Sequence, residues 1–217
     1  MRNIILFDLG DTLIFRNRDH RSYDLDLISD KFKVDQSTIS EALNMSLSAF
    51  PGVYSPWKDN SKIRTLSEER QYYASFYTQV FQSLSISQNA ESFVEIRLSQ
   101  QRYFLFPETK AYLKKLYQHG FLLGIFTNGR PSRRLIIKQL NINEFIDPSL
   151  IFISDEIGLY KPDPKSFAYV KQHAPDTNIA LCDDELPNLS TASQMNWGHY
   201  QIDHNQSGFK VLDILVK

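Results

Sequence analysis

Three clusters of polar residues each follow an apolar stretch of the chain. They are Asp8, Thr127-Asn128 and Asp183-Asp184. Carboxylates that converge at one point repel one another unless a cation lies between them, and oxygen ligands without histidine or thiolate suit Mg²⁺. Protein-bound Mg²⁺ is normally shared with a substrate phosphate. If the clusters meet, they therefore predict a magnesium ion and a phosphorylated ligand.

A lysine between the second and third clusters adds the charge that a phosphate group needs. Lys161 lies in the loop-like stretch Gly158–Pro164. The Thr127 hydroxyl, the Asn128 amide and the N–H groups that enter the next helix are hydrogen-bond donors for phosphate oxygens. Taken separately, each cluster is also an ordinary turn or helix cap. Their order, each after a strand, favours one shared site.

Such a site requires strands whose carboxyl ends meet at one edge of a sheet. Apolar stretches predict five strands, with helices between them and a last helix from about Phe209, which is typical of an α/β fold with a Rossmann-like, doubly wound parallel sheet. Ligands of such sheets bind at the carboxyl ends of the strands. The predicted strands are Ile4–Phe7, Phe121–Phe126, Leu150–Ile153, Asn178–Cys182 and His199–Ile202.

The stretch 15–106 has a different pattern, with apolar residues at helical spacing and many aromatic residues. It predicts a helical cap domain inserted into an α/β core made of 1–14 and 107–217. The aromatic residues are more simply explained as core packing than as a cofactor site.

Composition narrows the function classes. The chain has 217 residues, 42% hydrophobic and 23% charged, which is ordinary for a globular protein. A net charge of −1 gives no reason to expect nucleic acid or a membrane surface as partner. A single cysteine, Cys182, and the absence of an apolar leader or span predict a cytoplasmic protein. Oligomeric state is not predicted.

The four motifs together resemble those of the haloacid dehalogenase (HAD)-like hydrolases, in the phosphatase branch that carries a helical cap after the first motif. The motifs are Phe7–Leu13, Phe126–Gly129, Lys161–Pro164 and Asp183–Asn188. The resemblance implies a Mg²⁺-dependent phosphatase that hydrolyses a small phosphate monoester, sugar phosphates included, through an aspartyl-phosphate. It covers the first strand and the chain after about Pro107.

The resemblance also implies a role for each motif residue. Asp8 is the nucleophile, and Mg²⁺ is held by Asp8, the Gly10 carbonyl and Asp184. Asp183 and Asn188 support the metal ligands from behind. Catalytic charge stabilisation and phosphate binding fall to Lys161, with Thr127 and Asn128 binding the phosphate as well.

One departure from the family pattern concerns proton transfer. Hydrolytic members usually carry an aspartate two residues after the nucleophile as general acid and base, and this chain has Gly10 there, with Asp11 next to it. The dehalogenases instead have an aromatic residue at that position, which disfavours carbon–halogen cleavage here.

Two other interpretations remain open. The same set of residues, an aspartate, an acidic pair, a threonine and a lysine, also suffices for a phosphate-binding module that is phosphorylated without turnover. The predicted helical cap argues against such a module, which does not need a lid that excludes water. A weakly active or inactive relative could bind a protein partner through its aromatic cap. Substrate selectivity is expected from polar stretches of the cap, with the candidates Arg16, Arg18, Tyr54, Trp57 and Lys58.

Overall fold

Strands and helices alternate through most of the chain in this computed structural model, which describes residues 3–54, 63–174 and 178–216. The strands are β1 Ile4–Phe7, β2 Ile14–Phe15, β3 Phe104–Leu105, β4 Leu122–Thr127, β5 Ile146–Ile153, β6 Ile179–Asp183 and β7 Gly198–Gln201. The helices are α1 His20–Phe32, α2 Gln36–Leu47, α3 Leu66–Ser83, α4 Ala90–Ser99, α5 Thr109–Gln118, α6 Arg133–Gln139, α7 Ser154–Ile157, α8 Pro164–His173 and α9 Leu186–Gln194, and a 3₁₀-helix covers Gly208–Val216.

Five of the strands form one parallel sheet in the order β5-β4-β1-β6-β7. The chain runs outward from β1 through β4 to β5 and then returns to the other side of β1 at β6. The order reverses at β1, and the carboxyl ends beside such a reversal form the crevice in which α/β sheets bind ligands. The predicted α/β class and doubly wound parallel sheet are confirmed.

The central strand is apolar throughout because both of its faces are buried. Ile5 and Phe7 belong to one hydrophobic core, and Ile4 and Leu6 belong to the core on the opposite face. All four side chains are at most 1% exposed. Burial on both faces is the usual reason that strands of parallel sheets are continuous apolar runs.

Several local elements differ from the sequence prediction. Strand β5 begins at Ile146 rather than Leu150, and the short helix α7 follows it directly. A two-residue antiparallel pair joins β2 to β3. The C-terminal segment is a 3₁₀-helix, where the pattern from Phe209 predicts an ordinary helix. Such short elements depend on tertiary contacts more than on local sequence pattern.

The chain divides into two compact units. The sheet unit comprises Met1–Phe15, Tyr103–Gly129 and Arg133–Lys217, and the helical unit comprises Arg16–Arg102 and Arg130–Ser132. Within the described residues, the helices are all too short or too polar to cross a membrane.

The helical unit has its own core, built largely from aromatic side chains. Phe93 lies 4.7 Å from Tyr77 and 5.0 Å from Phe81 between ring centroids, with both pairs edge to face. The aromatic residues of this unit therefore fill its core.

A buried ion cluster lies in the same unit. The carboxylate of Asp24, fully buried, accepts hydrogen bonds from the Tyr77 hydroxyl at 2.7 Å and Arg97 Nε at 3.1 Å. Arg102 Nη1 lies 2.8 Å from Asp24 Oδ1. The Asp24 charge is thus matched by two arginines that are themselves at most 6% exposed.

Candidate active site

Strand register brings the first and third polar clusters to the same level of the sheet. Phe7 is paired with Cys182 across β1 and β6, so Asp8 and Asp183 leave their strands side by side. The Asp8 N–H donates to the Cys182 carbonyl at 2.8 Å. On the other side of β1, Phe7 is paired with Ile125, which places Thr127 two residues further along β4. The predicted convergence at the carboxyl ends therefore follows from the pairing itself.

The side chain of Lys161 lies between two of the carboxylates. Its Nζ donates to Asp8 Oδ1 at 2.8 Å and to Asp183 Oδ2 at 2.5 Å. The side chains of Lys161 and Asp183 are 1% and 0% exposed, whereas that of Asp8 is 13% exposed. Of these three groups, Asp8 is the one that a ligand can reach.

Burial and neighbouring charges shift the pKa values of Lys161 and Asp183. Burial opposes the charged form of Lys161, but the carboxylates of Asp8 and Asp183 outweigh it and raise the pKa of the ammonium above its ordinary value. Burial raises the pKa of Asp183, although Lys161 opposes this effect. Lys161 is therefore a permanent cation at the centre of the site.

Asp184 stands apart from this ion pair. Burial, followed by repulsion from Asp8 and Asp183, raises the pKa of Asp184 to about 6. Its Oδ1 accepts a hydrogen bond from the Thr12 hydroxyl at 3.1 Å. Three carboxylates and one ammonium leave a formal charge of −2 when all four groups are ionised. A divalent cation matches that charge.

The carboxylates of the site are a donor set of the kind that Mg²⁺ prefers. Among the described residues, no three His, Cys, Asp or Glu side chains are arranged to hold a metal. Mg²⁺ does not need three, since one or two carboxylates with waters and substrate phosphate are its usual ligands. The carboxylate oxygens and the residual negative charge fit Mg²⁺.

Asn128 is tied to the backbone of Lys161. Its Nδ2 donates to the Lys161 carbonyl at 2.8 Å, and its Oδ1 accepts from the Lys161 N–H at 2.9 Å. This reciprocal pair fixes the backbone of Lys161, which lies on the loop that precedes α8. Thr127 ends β4 and is 1% exposed. Phosphate binding by Thr127 and Asn128 stays a prediction, whereas the contact of Asn128 with Lys161 is observed.

Asn188 and Glu185 secure the buried side of Asp183. Asn188 Nδ2 lies 3.0 and 3.1 Å from the two Asp183 oxygens, and the Glu185 N–H donates to Asp183 Oδ1 at 2.9 Å. With Lys161 on the other side, Asp183 is held by four donor contacts from three residues. A carboxylate used in this way orients its neighbours and has little freedom to bind a ligand.

The loop after Asp8 decides which groups face the crevice. Leu13 N–H donates to the Leu9 carbonyl at 3.0 Å, and Asp11 N–H donates to the Ile14 carbonyl at 2.7 Å. Asp11 has a left-handed backbone with φ 56° and an exposed side chain. Gly10 has no such backbone, and a Cβ added there would meet no heavy atom within 4 Å. Neither conformation nor space therefore requires glycine at position 10.

Sequence reasoning assigned no role to two residues that shape this rim. Thr12 lies inside the first motif, and its hydroxyl reaches Asp184. Ser154 directly follows β5, and its Oγ accepts the Gly129 N–H at 2.9 Å. The rule that located the three clusters, a polar residue directly after a buried strand, would have located Ser154 as well.

The selectivity candidates that the structure describes belong to the helical unit. Arg16 and Arg18 are exposed and Tyr54 is half-buried. Arg18 forms an ion pair with Asp26. Trp57 and Lys58 lie outside the described residues. A role in selectivity stays a prediction for all five candidates.

The chain is similar to known proteins both in sequence and in structure. A family model described as haloacid dehalogenase-like hydrolase matches residues 3–195. A phosphoserine phosphatase of Thermus thermophilus is 38% identical over 80 residues, which are 36% of this chain and 30% of that protein. The aligned part thus spans less than a third of the phosphatase.

Solved structures share the fold at low identity. A HAD family enzyme from Bacteroides thetaiotaomicron has a TM-score of 0.64 and 14% identity, with 98% of each chain covered. An aspartate-to-alanine variant of that enzyme was solved as a complex with magnesium and inorganic phosphate. A 2-haloacid dehalogenase from Pseudomonas syringae has a TM-score of 0.63 and 20% identity, covering 95% of this chain and 88% of that one.

Proposed function

This chain belongs to the haloacid dehalogenase-like hydrolases, as its four motifs predict, and we propose that it is a Mg²⁺-dependent phosphatase of small phosphate monoesters. The observation that carries the proposal is the partly exposed carboxylate of Asp8 bound to the buried cation of Lys161, at the sheet's topological switch point. Relatives support it. One is a phosphoserine phosphatase, and another was solved with magnesium and phosphate.

In this proposal Asp8 attacks phosphorus, the bond from phosphorus to the leaving oxygen breaks, and an aspartyl-phosphate forms on Asp8. Water then cleaves that intermediate to release inorganic phosphate. Lys161, already 2.8 Å from Asp8, stabilises the negative charge on the transferring group. Thr127 and Asn128 bind phosphate oxygens beside it.

Asp8, the Gly10 carbonyl and Asp184 would hold Mg²⁺, with Asp183 and Asn188 behind them. The ion supplies charge neutralisation for the phosphate oxygens. Thr12 orients Asp184 by its hydroxyl, and Asp183 keeps Lys161 in place from the side opposite Asp8. We also propose that the helical unit is a cap domain that confers substrate selectivity.

The test is hydrolysis of a panel of phosphate monoesters with and without Mg²⁺. Asp8→Asn is expected to abolish turnover while circular dichroism shows an intact fold, since the amide is a far weaker nucleophile. Asp30→Asn, an exposed carboxylate of α1, is the matched control and should retain full activity. Asp8→Asn activity within tenfold of the parent would contradict the proposal.

Two further measurements distinguish a phosphatase from a dehalogenase and from a phosphate-binding module. Chloride release from 2-chloro acids, without phosphate release, would make the protein a dehalogenase. A stable phosphorylated protein formed from acetyl phosphate, with no turnover of any monoester, would make it a phosphate-binding module. Turnover of at least one monoester that depends on both Asp8 and Mg²⁺ is the outcome expected here.

A further inference from the structure

A histidine from the far end of the chain contacts the loop of the first motif. His204 Nε2 lies 2.8 Å from the Thr12 carbonyl, although the two residues are 192 positions apart. A carbonyl oxygen only accepts hydrogen bonds, so the ring nitrogen must be the donor, and this contact assigns the proton to Nε2. Both residues belong to the sheet unit.

The imidazole ring is held in one orientation by two aromatic rings and a turn. It stacks on Phe106 with centroids 3.4 Å apart and planes 15° apart, and it meets Phe209 edge to face at 5.1 Å. The turn that carries it closes with a 2.8 Å bond from the Gly208 N–H to the Asp203 carbonyl. The donor of His204 is thus preorganised toward Thr12.

Thr12 passes this restraint to the acidic side of the site. Its carbonyl accepts from His204, and its hydroxyl donates to Asp184 Oδ1 at 3.1 Å. The next carbonyl along the loop, that of Leu13, is held by other elements, through the Thr109 hydroxyl at 2.9 Å and the Phe106 N–H at 3.2 Å. His204 is thus the side chain that holds the Thr12 carbonyl, while the N–H of the same peptide, that of Leu13, donates to the Leu9 carbonyl at 3.0 Å.

We infer that His204 is a positioning residue for the metal end of the site, which it serves by holding Thr12 so that the Thr12 hydroxyl orients the Asp184 carboxylate. The inference rests on the proposed function in one respect, the assignment of Asp184 as a Mg²⁺ ligand. Groups that orient a metal ligand change affinity by roughly 10- to 100-fold, and His204 lies one residue further out, so the effect expected is about three- to tenfold.

The experiment measures Mg²⁺ binding by calorimetry in the full chain without substrate. His204→Leu keeps an apolar group between Phe106 and Phe209 but removes the donor, and it should weaken Mg²⁺ binding about three- to tenfold. His204→Gln restores an N–H at similar reach and should bind Mg²⁺ within about twofold of the parent. His119→Leu is the matched control, because His119 is exposed and its ring also contacts a backbone carbonyl at 2.8 Å, that of Lys115.

A double-mutant cycle identifies the route of the effect. In Thr12→Val the hydroxyl link to Asp184 is gone, so adding His204→Leu should change Mg²⁺ affinity little further. If His204→Leu does not fold, His204→Asn replaces it, since the shorter amide cannot reach the Thr12 carbonyl.

Several results would overturn the inference. Parent-like Mg²⁺ affinity in His204→Leu refutes it while leaving the proposed phosphatase intact. Equal losses in His204→Gln and His204→Leu assign the effect to ring packing and refute it as well. A parent that hydrolyses phosphate esters but binds no Mg²⁺ removes the metal site and this inference together.

Discussion

Gly10 occupies the position at which a general acid is expected, and replacing it by aspartate should change which substrates are cleaved. A general acid contributes roughly 10²- to 10⁴-fold to rate, or about 3–5 kcal/mol. Its value depends on the leaving group, because an alkoxide needs a proton whereas a phenolate or an acyl group needs little help. The parent is therefore expected to prefer aryl, acyl or anomeric sugar phosphates over simple alkyl phosphates.

The structure makes the substitution practicable. An added Cβ at Gly10 meets no heavy atom within 4 Å, and the backbone there is not left-handed, so aspartate introduces no evident strain. Gly10→Asp should raise kcat/KM for an alkyl phosphate by roughly 10²-fold or more, the lower end of general-acid contributions, and change the aryl reaction much less. Gly10→Asn has nearly the same size without an acidic proton and is the matched control.

The assay compares kcat/KM for a paired aryl and alkyl phosphate in the parent, Gly10→Asp, Gly10→Asn and Asp11→Asn. Equal rates on both substrates in the parent would refute the reasoning, as would an equal gain in Gly10→Asn. Asp11 is exposed on a left-handed backbone that asparagine also tolerates. A selective loss of the alkyl reaction in Asp11→Asn would make Asp11 the acid instead.

Three other predictions concern the metal and stability. Asp184→Ala should weaken Mg²⁺ binding, measured by calorimetry, more than Asp183→Ala does. Asp183→Ala should lower Tm more, because it leaves Lys161 and Asn188 without their shared partner. The reverse order would contradict the assignment of Asp184 as the metal ligand. Because the pKa of Asp184 is raised to about 6, Mg²⁺ affinity should be level above about pH 7 and fall about tenfold per pH unit well below 6. In the metal-free protein, the contribution of Asp184 to stability, measured as the difference in unfolding free energy between the parent and Asp184→Asn, should be lost as pH rises from about 4 through 6. Mg²⁺ affinity unchanged down to pH 4.5 would contradict this prediction. Asp24→Asn should lower the free energy of unfolding of the helical unit in urea by about 3–5 kcal/mol, since two buried arginines lose their counter-charge. Asp26→Asn, which removes an exposed ion pair, should lower it by at most about 1 kcal/mol. Similar losses in both variants would contradict this prediction.

The sheet could be predicted from sequence because its strands are buried on both faces. An apolar run that ends in a carboxylate, as at Phe7-Asp8 and Cys182-Asp183, reports both the strand and its carboxyl end. Parallel pairing then brings these residues together without further information. The β2–β3 pair and α7 lack such a signal, since two to four residues are too few to show a period.

The sequence predicts which residues belong to the site better than it predicts which side chains contact one another. The motif order indicated that Lys161 belongs to the site, but only the structure shows its ammonium between Asp8 and Asp183. The contact of His204 with Thr12 joins the two ends of the sheet unit and carries no local pattern at all. Contacts of this kind arise from the folded chain, so no window of sequence contains them.

The position of Lys161 also changes the argument for a metal. From sequence, three carboxylates at one edge required a cation, yet a buried ammonium already neutralises part of that charge. What remains is the excess at Asp184, whose pKa is raised to about 6 by burial and by repulsion from Asp8 and Asp183. Divalent binding would relieve this repulsion, and it would do so beside Asp8, the carboxylate that stays accessible. The same arrangement thus separates a lysine side, suited to the transferring phosphoryl group, from an Asp184 side suited to Mg²⁺.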